Sequence, residues 1–150
     1  MAKIIVAMLA ALLAVPAPAC TTFSINESAL SPTARLQSQF TQATSVLRAQ
    51  VTNVKDASRR DPNDLTKKQQ VVLARIVVTE AIKGPAPRTV LTRPAIPGCD
   101  LVLRPGQEYV LFVDSGGWVG TNSFEINGNE SNALGSRLVA IRELASKAAK

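Results

Sequence analysis

The sequence predicts a small β-barrel, closed or nearly closed, with one helix before its strands and one after them. Three observations lead to this fold class. Several short stretches are rich in β-branched residues, turn-forming Gly and Pro residues separate them, and helical periodicity is confined to two stretches near the ends of the folded region. The alternative for such a pattern is an open sandwich of two sheets.

Residues 1–19 have the three parts of a secretory signal peptide. Lys3 supplies the positive charge, an apolar run extends from Ile4 to Val15, and Ala17-Pro18-Ala19 is a small-residue cleavage site. The apolar run is too short to cross a bilayer of about 30 Å as a helix. We therefore expect one folded domain, residues 20–150, in a protein that is secreted or resides in the periplasm or cell envelope.

The first predicted elements of the domain are an extended segment, a helix and a strand. Residues 21–30 lack sustained periodicity and are expected to lie extended over the domain. Ser31-Pro32 is a suitable N-cap and first helical position, and the apolar spacing that follows predicts a helix over 32–41. Alternation of apolar and polar residues predicts a half-buried strand over 45–54.

A polar stretch, residues 56–68, follows this strand. It includes Arg59-Arg60 and Lys67-Lys68 and very few apolar side chains. The sequence therefore predicts a long exposed loop, either a mobile tip or part of a binding surface.

Gly- and Pro-containing turns separate the remaining strands, and a final helix follows them. In the clearest strand, 108–113, alternation places Tyr109 and Phe112 on opposite faces, so at least one of them is expected to pack in the core. The apolar residues Leu134, Leu138, Ile141 and Leu144 fall on one face of the final helix. The predicted strands are residues 70–82, 89–92, 99–103, 108–113 and 118–121, and the final helix is predicted over 133–148.

The composition argues against an enzyme. The chain has no His, which removes the commonest general base and the commonest metal ligand. It also lacks a Gly-x-Ser-x-Gly elbow and a phosphate-binding glycine loop. We expect neither catalytic activity nor a cofactor.

The charge argues against a nucleic-acid partner. The formal charge of +6 is a mild excess without a large basic cluster, and stacking aromatic residues are few. An oligosaccharide- or nucleic-acid-binding barrel is the third and weakest of the functional alternatives.

Cys20 and Cys99 are the two cysteines of the chain. In an exported protein they are expected to be oxidised and paired. Closing a loop of this length contributes about 4–5 kcal/mol on the chain-entropy model. An alternative stays open, because a lipoprotein signal also ends immediately before a cysteine. Acylation of Cys20 would leave Cys99 unpaired and attach the protein to a membrane.

Five motifs follow one another in a recognisable order. They are a signal peptide ending before Cys20-Thr21, Ser45–Val51, Ile82-Lys83-Gly84, Cys99-x-Leu101 and Leu103-x-x-Gly106-x-x-Tyr109-Val110-Leu111. This order resembles that of the tissue inhibitors of metalloproteinases and, more broadly, of netrin-like modules, including bacterial relatives. The resemblance extends over most of residues 20–125 and implies an OB-fold, a five-stranded Greek-key β-barrel with one short N-terminal helix and one C-terminal helix.

In this family, a disulfide-bonded N-terminal cysteine chelates the catalytic zinc of a target protease through its amine nitrogen and carbonyl oxygen. The resemblance implies that Cys20, bonded to Cys99, has this role and that Thr21 enters the specificity pocket of the protease. The metal would belong to the partner. The implied inhibitory ridge consists of Cys20, Thr21, Thr22, Phe23, Ile96, Pro97, Gly98 and Cys99.

This chain departs from the family at two positions. It has Thr22 where a second cysteine is usual, and it lacks the further cysteine expected near residues 120–124. Both cysteines of one disulfide bridge of the family are therefore absent, so the bridge is missing and not half-formed.

Two functional hypotheses follow. The first is a secreted inhibitor that binds a protein partner, a zinc metalloprotease, through the ridge. The second is a non-inhibitory periplasmic or envelope binding module, lipid-anchored if Cys20 is acylated, in which the cysteine bridge only stabilises the fold.

Overall fold

The computed structural model describes residues 30–61, 64–95, 101–126 and 132–149. Two helices flank five strands in this part of the chain. In chain order the elements are α1 (Pro32–Gln42), β1 (Ser45–Asp61), β2 (Asp64–Lys83), β3 (Thr89–Thr92), β4 (Glu108–Val113), β5 (Phe124–Ile126) and α2 (Asn132–Ala148).

Helix α1 begins and ends close to where local signals place it. Ser31 is the N-cap, and its Oγ accepts a hydrogen bond from the backbone N of Ala34 (3.2 Å). Pro32 occupies the start of the helix, where a missing N–H costs nothing. The prediction of a helix over 32–41 is confirmed, as is that of the C-terminal helix, which begins one residue earlier than expected.

The five strands form one antiparallel sheet in the order β3-β2-β1-β4-β5. Strands β1 and β2 make a long hairpin, whereas β4 pairs only with residues Ser45–Gln50 of β1 and β3 pairs only with Val72–Arg75 of β2. The predicted class, a mostly β protein with flanking helices, is confirmed. The sandwich alternative needs two sheets, and the described strands all belong to one.

The sheet is curled, so that its edge strand β3 reaches the chain that follows β4. Three of the register irregularities between β1 and β2 fall between Val46 and Asn53, where bulges bend and twist a strand pair. Leu91 of β3 donates to the carbonyl oxygen of Gly117 (2.8 Å) and accepts from the backbone N of Val119 (2.8 Å). These two bonds connect β3 to the segment that also bridges to the end of β4.

The sheet separates two hydrophobic cores. We call the first the strand core, because strands and loops alone form it, and the second the helix core, because α1 and α2 pack there. The buried residues of the strand core are Leu47, Ala49, Val51, Ala74, Ile76, Val90, Leu103, Tyr109, Leu111 and Val113. The buried residues of the helix core are Phe40, Ala43, Val46, Val110, Phe112, Phe124, Leu138 and Ile141.

The expectations for the aromatic residues of β4 and for the apolar face of the last helix are confirmed. Tyr109 lies in the strand core and Phe112 in the helix core, so alternation does place them on opposite faces. Leu138 and Ile141 are buried against the sheet, and Leu144 is half-buried beside them.

The prediction of a long loop over residues 56–68 is wrong. Asp56–Asp61 of β1 and Asp64–Gln70 of β2 continue the hairpin, and none of these residues pairs with another described strand. We call this two-stranded extension the β1–β2 arm. Its residues are mostly exposed on both faces, so the apolar alternation that identifies a half-buried strand is missing.

Two further strand predictions are corrected. Leu101–Leu103, the described part of the predicted strand 99–103, is a loop. Of the predicted strand 118–121, only Trp118 and Val119 form isolated bridges, whereas the last strand of the sheet is Phe124–Ile126. The chain pairs with β4 at Val119, leaves its edge, and pairs again from Phe124. Between these two points, Ser123 Oγ accepts the backbone N–H of Phe112 (2.9 Å) in place of a backbone partner.

None of the helices in the described ranges is both long enough and apolar enough to span a membrane.

Candidate binding site

The residues of the predicted inhibitory ridge lie outside the described residues. The structure therefore does not place Cys20, Thr21, Thr22 and Phe23, nor Ile96, Pro97, Gly98 and Cys99, and the Cys20–Cys99 bridge stays a prediction. It does describe the chain that resumes at Leu101, directly after the second half of the ridge.

This chain, residues 101–104, is held firmly against the sheet. Leu103 is buried in the strand core and Leu101 packs at its margin. The hydroxyl of Tyr109 donates to the carbonyl oxygen of Val102 (3.1 Å) and accepts from the backbone N of Arg104 (2.9 Å). Because one side chain satisfies two backbone groups of a loop, Tyr109 works as a clamp on residues 102–104.

The environment of Tyr109 is consistent with a structural hydroxyl. Its side chain is fully buried, and burial raises the pKa of the phenol, against a smaller lowering effect from the hydrogen bond of Arg104 N. The hydroxyl therefore stays protonated, as its donation to Val102 requires.

Gly106 completes the attachment of this loop. It has φ +85°, a conformation that L side chains rarely adopt. Its backbone N donates to the carbonyl oxygen of Val51 (2.8 Å), and Val51 in turn donates to the carbonyl oxygen of Gln107 (2.9 Å). The turn between the loop and β4 is thereby joined to β1.

Lys83-Gly84, a second motif of the resemblance, closes the end of α1. The Nζ of Lys83 donates to the carbonyl oxygens of Phe40 (2.6 Å), Thr41 (3.0 Å) and Ala43 (2.6 Å), which are acceptors without partners at a helix C-terminus. It also lies 5.1 Å from the centre of the Phe40 ring. Gly84 has φ +70°, and a Cβ there would overlap the carbonyl oxygen of Thr44.

Two bidentate ion pairs connect elements on the helix side of the sheet. Arg48 of β1 donates to both carboxylate oxygens of Glu108 (2.9 and 2.8 Å), and Thr79 also donates to this carboxylate (3.0 Å). Arg142 of α2 contacts Glu80 of β2 in the same way (2.9 and 2.6 Å). Hydrogen bonds from Arg48 and from Arg142 hold the pKa values of Glu108 and Glu80, respectively, below their ordinary range.

These acidic residues do not form a metal site. Within the described ranges, no three Asp, Glu, His or Cys residues come together in a group that could hold a metal ion. Glu108 and Glu80 are instead engaged by arginines that stabilise the packing of strands and helix.

A cavity lies between α1, the end of β4 and the segment 118–122. Its volume is about 310 Å³. The lining residues that bear on binding are Gln39, Gln42, Phe112, Asp114, Trp118 and Asn122.

Gln39 is unusual in this cavity wall. The residue is only 8% exposed, and its Nε2 is fully enclosed, with no hydrogen-bond acceptor among the described residues. A buried donor without a partner costs about 1–3 kcal/mol, so it calls for an explanation.

The opposite wall is held in place by Asp114. Its Oδ1 accepts from the backbone N of Gly116 (2.8 Å) and of Trp118 (2.9 Å), and its own N donates to the carbonyl oxygen of Trp118 (3.0 Å). On the other side, Arg137 donates to the carbonyl oxygen of Asn122 (3.0 Å) and stacks 4.6 Å from the Phe124 ring. The segment that carries Trp118 and Asn122 is therefore fixed at both ends.

Gln39 was not among the predicted binding residues, although the sequence contains a signal for it. Leu36, Gln39, Phe40 and Ala43 follow the spacing of one helical face, so a carboxamide falls on the apolar side of α1. A polar residue at such a position indicates either a buried hydrogen bond or a ligand.

No protein-family model matches the chain, and no curated protein matches it.

Proposed function

We propose that this protein is an exported, single-domain netrin-like module that inhibits a zinc metalloprotease with the ridge formed by Cys20–Phe23 and Ile96–Cys99. We further propose that its fold is an OB-fold. The function is binding, and the chemistry is chelation of the zinc of the partner by the amine and the carbonyl oxygen of Cys20.

The observation that carries the proposal is the clamp formed by Tyr109. The Leu103-x-x-Gly106-x-x-Tyr109 motif, which contributes to the resemblance, holds residues 102–104 against the sheet through buried Leu103 and the two hydrogen bonds of the phenol. A ridge residue at position 99 would thus be followed, from Leu101 onward, by a chain that is held against the sheet. Such preorganisation lowers the entropic cost of binding a protein partner.

The curled sheet supports the proposed OB-fold. The order β3-β2-β1-β4, followed by the bonds of Leu91 to Gly117 and Val119, makes a continuous ring of hydrogen-bonded segments around the strand core. Leu91 and Trp118 are bridged in parallel, while the strands themselves are antiparallel. A small barrel of this kind usually carries its binding elements on loops at its surface.

The chelation chemistry follows from the general properties of catalytic zinc. Such a site has three protein ligands and one position open to water or substrate. An α-amine has a pKa of about 8, so binding to a metal near neutral pH requires the loss of one proton. A bridge from Cys20 to Cys99 would keep this amine in position.

The experiment begins with the exported protein itself. Intact mass and peptide mapping without reduction should give an unmodified Cys20 at the N-terminus, linked to Cys99. Inhibition is then measured against a panel of zinc metalloproteases, with and without one Ala inserted before Cys20. The insertion should abolish inhibition, because it moves the amine away from the zinc.

The same Ala added after Lys150 is the matched control and should leave inhibition unchanged. Equal potency of the protein with the Ala before Cys20 would refute chelation. A lipid mass on Cys20 would refute the inhibitor mechanism.

The cavity at Gln39 and Trp118 favours one alternative, a periplasmic or envelope binding module whose ligand site lies away from the ridge. In that case the bridge only stabilises the fold. Replacing Cys20 and Cys99 together with Ser would then lower the unfolding midpoint but leave partner binding intact in the folded fraction. An inhibitor would lose its activity in the same variant.

A further inference from the structure

The cavity beside Trp118 has a lining of defined chemical character. Three carboxamides, those of Gln39, Gln42 and Asn122, line it together with the carboxylate of Asp114. Among the described residues that line it there is no Lys or Arg, so an anionic ligand would have no cation to pair with and would face Asp114.

We propose that this cavity is a binding site for a neutral sugar, with room for one pyranose ring. Each sugar hydroxyl is both a donor and an acceptor, and each carboxamide offers both functions in return. The apolar C–H face of a pyranose ring fits against an aromatic side chain, and Trp118 supplies one that is half-buried at the cavity wall. A simple inorganic ion has neither the hydroxyl groups nor the C–H face.

The size of the cavity supports a small ligand. Its volume of about 310 Å³ lies at the lower end of the roughly 300–1,000 Å³ that small-molecule sites enclose. The site is also largely preformed, because Asp114 fixes the backbone of Trp118, and Gly116 lies against the indole. A Cβ at Gly116 would come within 3.1 Å of the indole Cδ1, so even a methyl group there would crowd the ring.

A ligand would explain why the carboxamide N–H of Gln39 is buried without a hydrogen-bond acceptor in the described part of the chain. Its Nε2 has no acceptor among the described residues, although the same side chain lines the cavity. The terminal torsion of a glutamine is broad, so a rotation of the carboxamide would present the N–H group to a ligand hydroxyl. The ligand would then satisfy a donor that the protein leaves unpaired.

Trp118 makes the proposal directly measurable, because it is the only tryptophan of the chain. The exported protein is titrated with glucose, mannose, galactose and N-acetylglucosamine while tryptophan fluorescence is recorded. At least one of these sugars should give a saturable change in emission. Tetramethylammonium chloride and sodium acetate, at the same concentrations, test for a cationic or an anionic ligand and should give none.

The variant Gln39→Met keeps the length of the side chain and removes its hydrogen-bonding groups. We expect sugar affinity to fall at least about tenfold, the equivalent of one good hydrogen bond. The thermal midpoint of the sugar-free variant should be equal to or higher than that of the wild type, because an unpaired buried donor has been removed. Gln37→Met, an exposed position on the same helix, is the matched control and should bind sugar normally.

Gln42→Met is the second variant, and since Gln42 is exposed its replacement leaves both cores intact. It should also weaken binding. The proposal is overturned if none of the sugars gives a saturable change, if the response survives in both Gln39→Met and Gln42→Met, or if only the salts give it. None of these outcomes bears on the ridge, because the cavity and the ridge have no residue in common.

Discussion

At the scale of single residues, a few polar side chains form hydrogen bonds with backbone groups that have no partner in a helix or a sheet. Tyr109 pairs two backbone groups of the loop 102–104, and Lys83 collects three carbonyl groups at the end of α1. A loop or a helix end next to a core needs such partners, because unpaired backbone groups are costly to bury. The motif residues therefore act first as parts of the fold.

Removing the hydroxyl of Tyr109 tests this role. Tyr109→Phe keeps the ring in the strand core but leaves the N of Arg104 and the carbonyl oxygen of Val102 without their partner. We expect the free energy of unfolding to fall by about 1–3 kcal/mol, measured by urea denaturation.

Thr52→Val is the control for the loss of a hydroxyl. Thr52 donates to the carbonyl oxygen of Arg75 (3.2 Å) at an exposed position, so its loss should cost less than about 0.5 kcal/mol. Equal costs for the two variants would contradict the clamp.

At the scale of elements, the β1–β2 arm shows how a polar sequence continues a sheet. Its residues have solvent on both faces, yet Ala57 pairs with Val71 and Ser58 with Gln70. The ladder depends on backbone hydrogen bonds, which any residue except Pro can provide. Because an isolated hairpin is marginally stable in water, the arm depends on the sheet from which it projects.

The arm depends on the sheet, but we expect the sheet not to depend on the arm. Shortening the arm tests this. Replacing Arg59–Gln69 with Asn-Gly joins Ser58 to Gln70, two residues that already face each other, through a two-residue turn. We expect the unfolding free energy to change by no more than about 1 kcal/mol, since none of the described residues in this segment lies in either core.

The shortened protein does lose the hydrogen bond from Arg59 to the carbonyl oxygen of Gly116 (3.4 Å), which is exposed and long. The measurement is thermal denaturation followed by circular dichroism. A variant that fails to fold would mean that the arm is part of the folding core. An inhibition assay of the shortened protein would show whether the arm contributes to inhibition beside the ridge.

At the scale of the whole molecule, two ion pairs connect elements that are distant in the sequence. Arg48–Glu108 connects β1 to β4, and Arg142–Glu80 connects α2 to β2. Both carboxylates have lowered pKa values, in each case chiefly because of the hydrogen-bonded arginine. A lowered pKa in the folded state means that the ionised form contributes to stability.

The pH dependence follows from the sign of these shifts. Stability from Glu108 and Glu80 is fully present above the unfolded pKa of about 4.3 and is lost as the pH falls through the lower folded values. We therefore expect the thermal midpoint to be flat near neutral pH and to drop below about pH 4.

Glu108→Gln should be less stable at pH 7, by about 1 kcal/mol, and should show a shallower drop in acid. Glu143→Gln, at an exposed position of α2, is the control and should follow the wild-type curve. Parallel curves for Glu108→Gln and the wild type would show that this pair does not contribute to the acid transition.

Local signals were sufficient for much of the fold. A few consecutive residues were enough to predict the N-cap at Ser31 and the strands Thr89–Thr92 and Glu108–Val113. The structure confirms all three. The structure also confirms the apolar face of the last helix, where Leu138 and Ile141 are buried. Elements of this kind are predictable because their own periodicity or capping stabilises them.

The sequence by itself thus determined the mostly β class with its two helices, and it provided the motifs on which the proposed inhibitor function depends. Only the tertiary structure decided the length of the β1–β2 arm, the loop at Leu101–Leu103 and the position of β5, because these depend on backbone pairing and on the clamp of Tyr109, neither of which leaves an apolar periodicity in the sequence. The cavity belongs to the same group. Gln39 and Trp118 are distant in the chain, and they line one site only because the curled sheet brings the segment after β4 against α1.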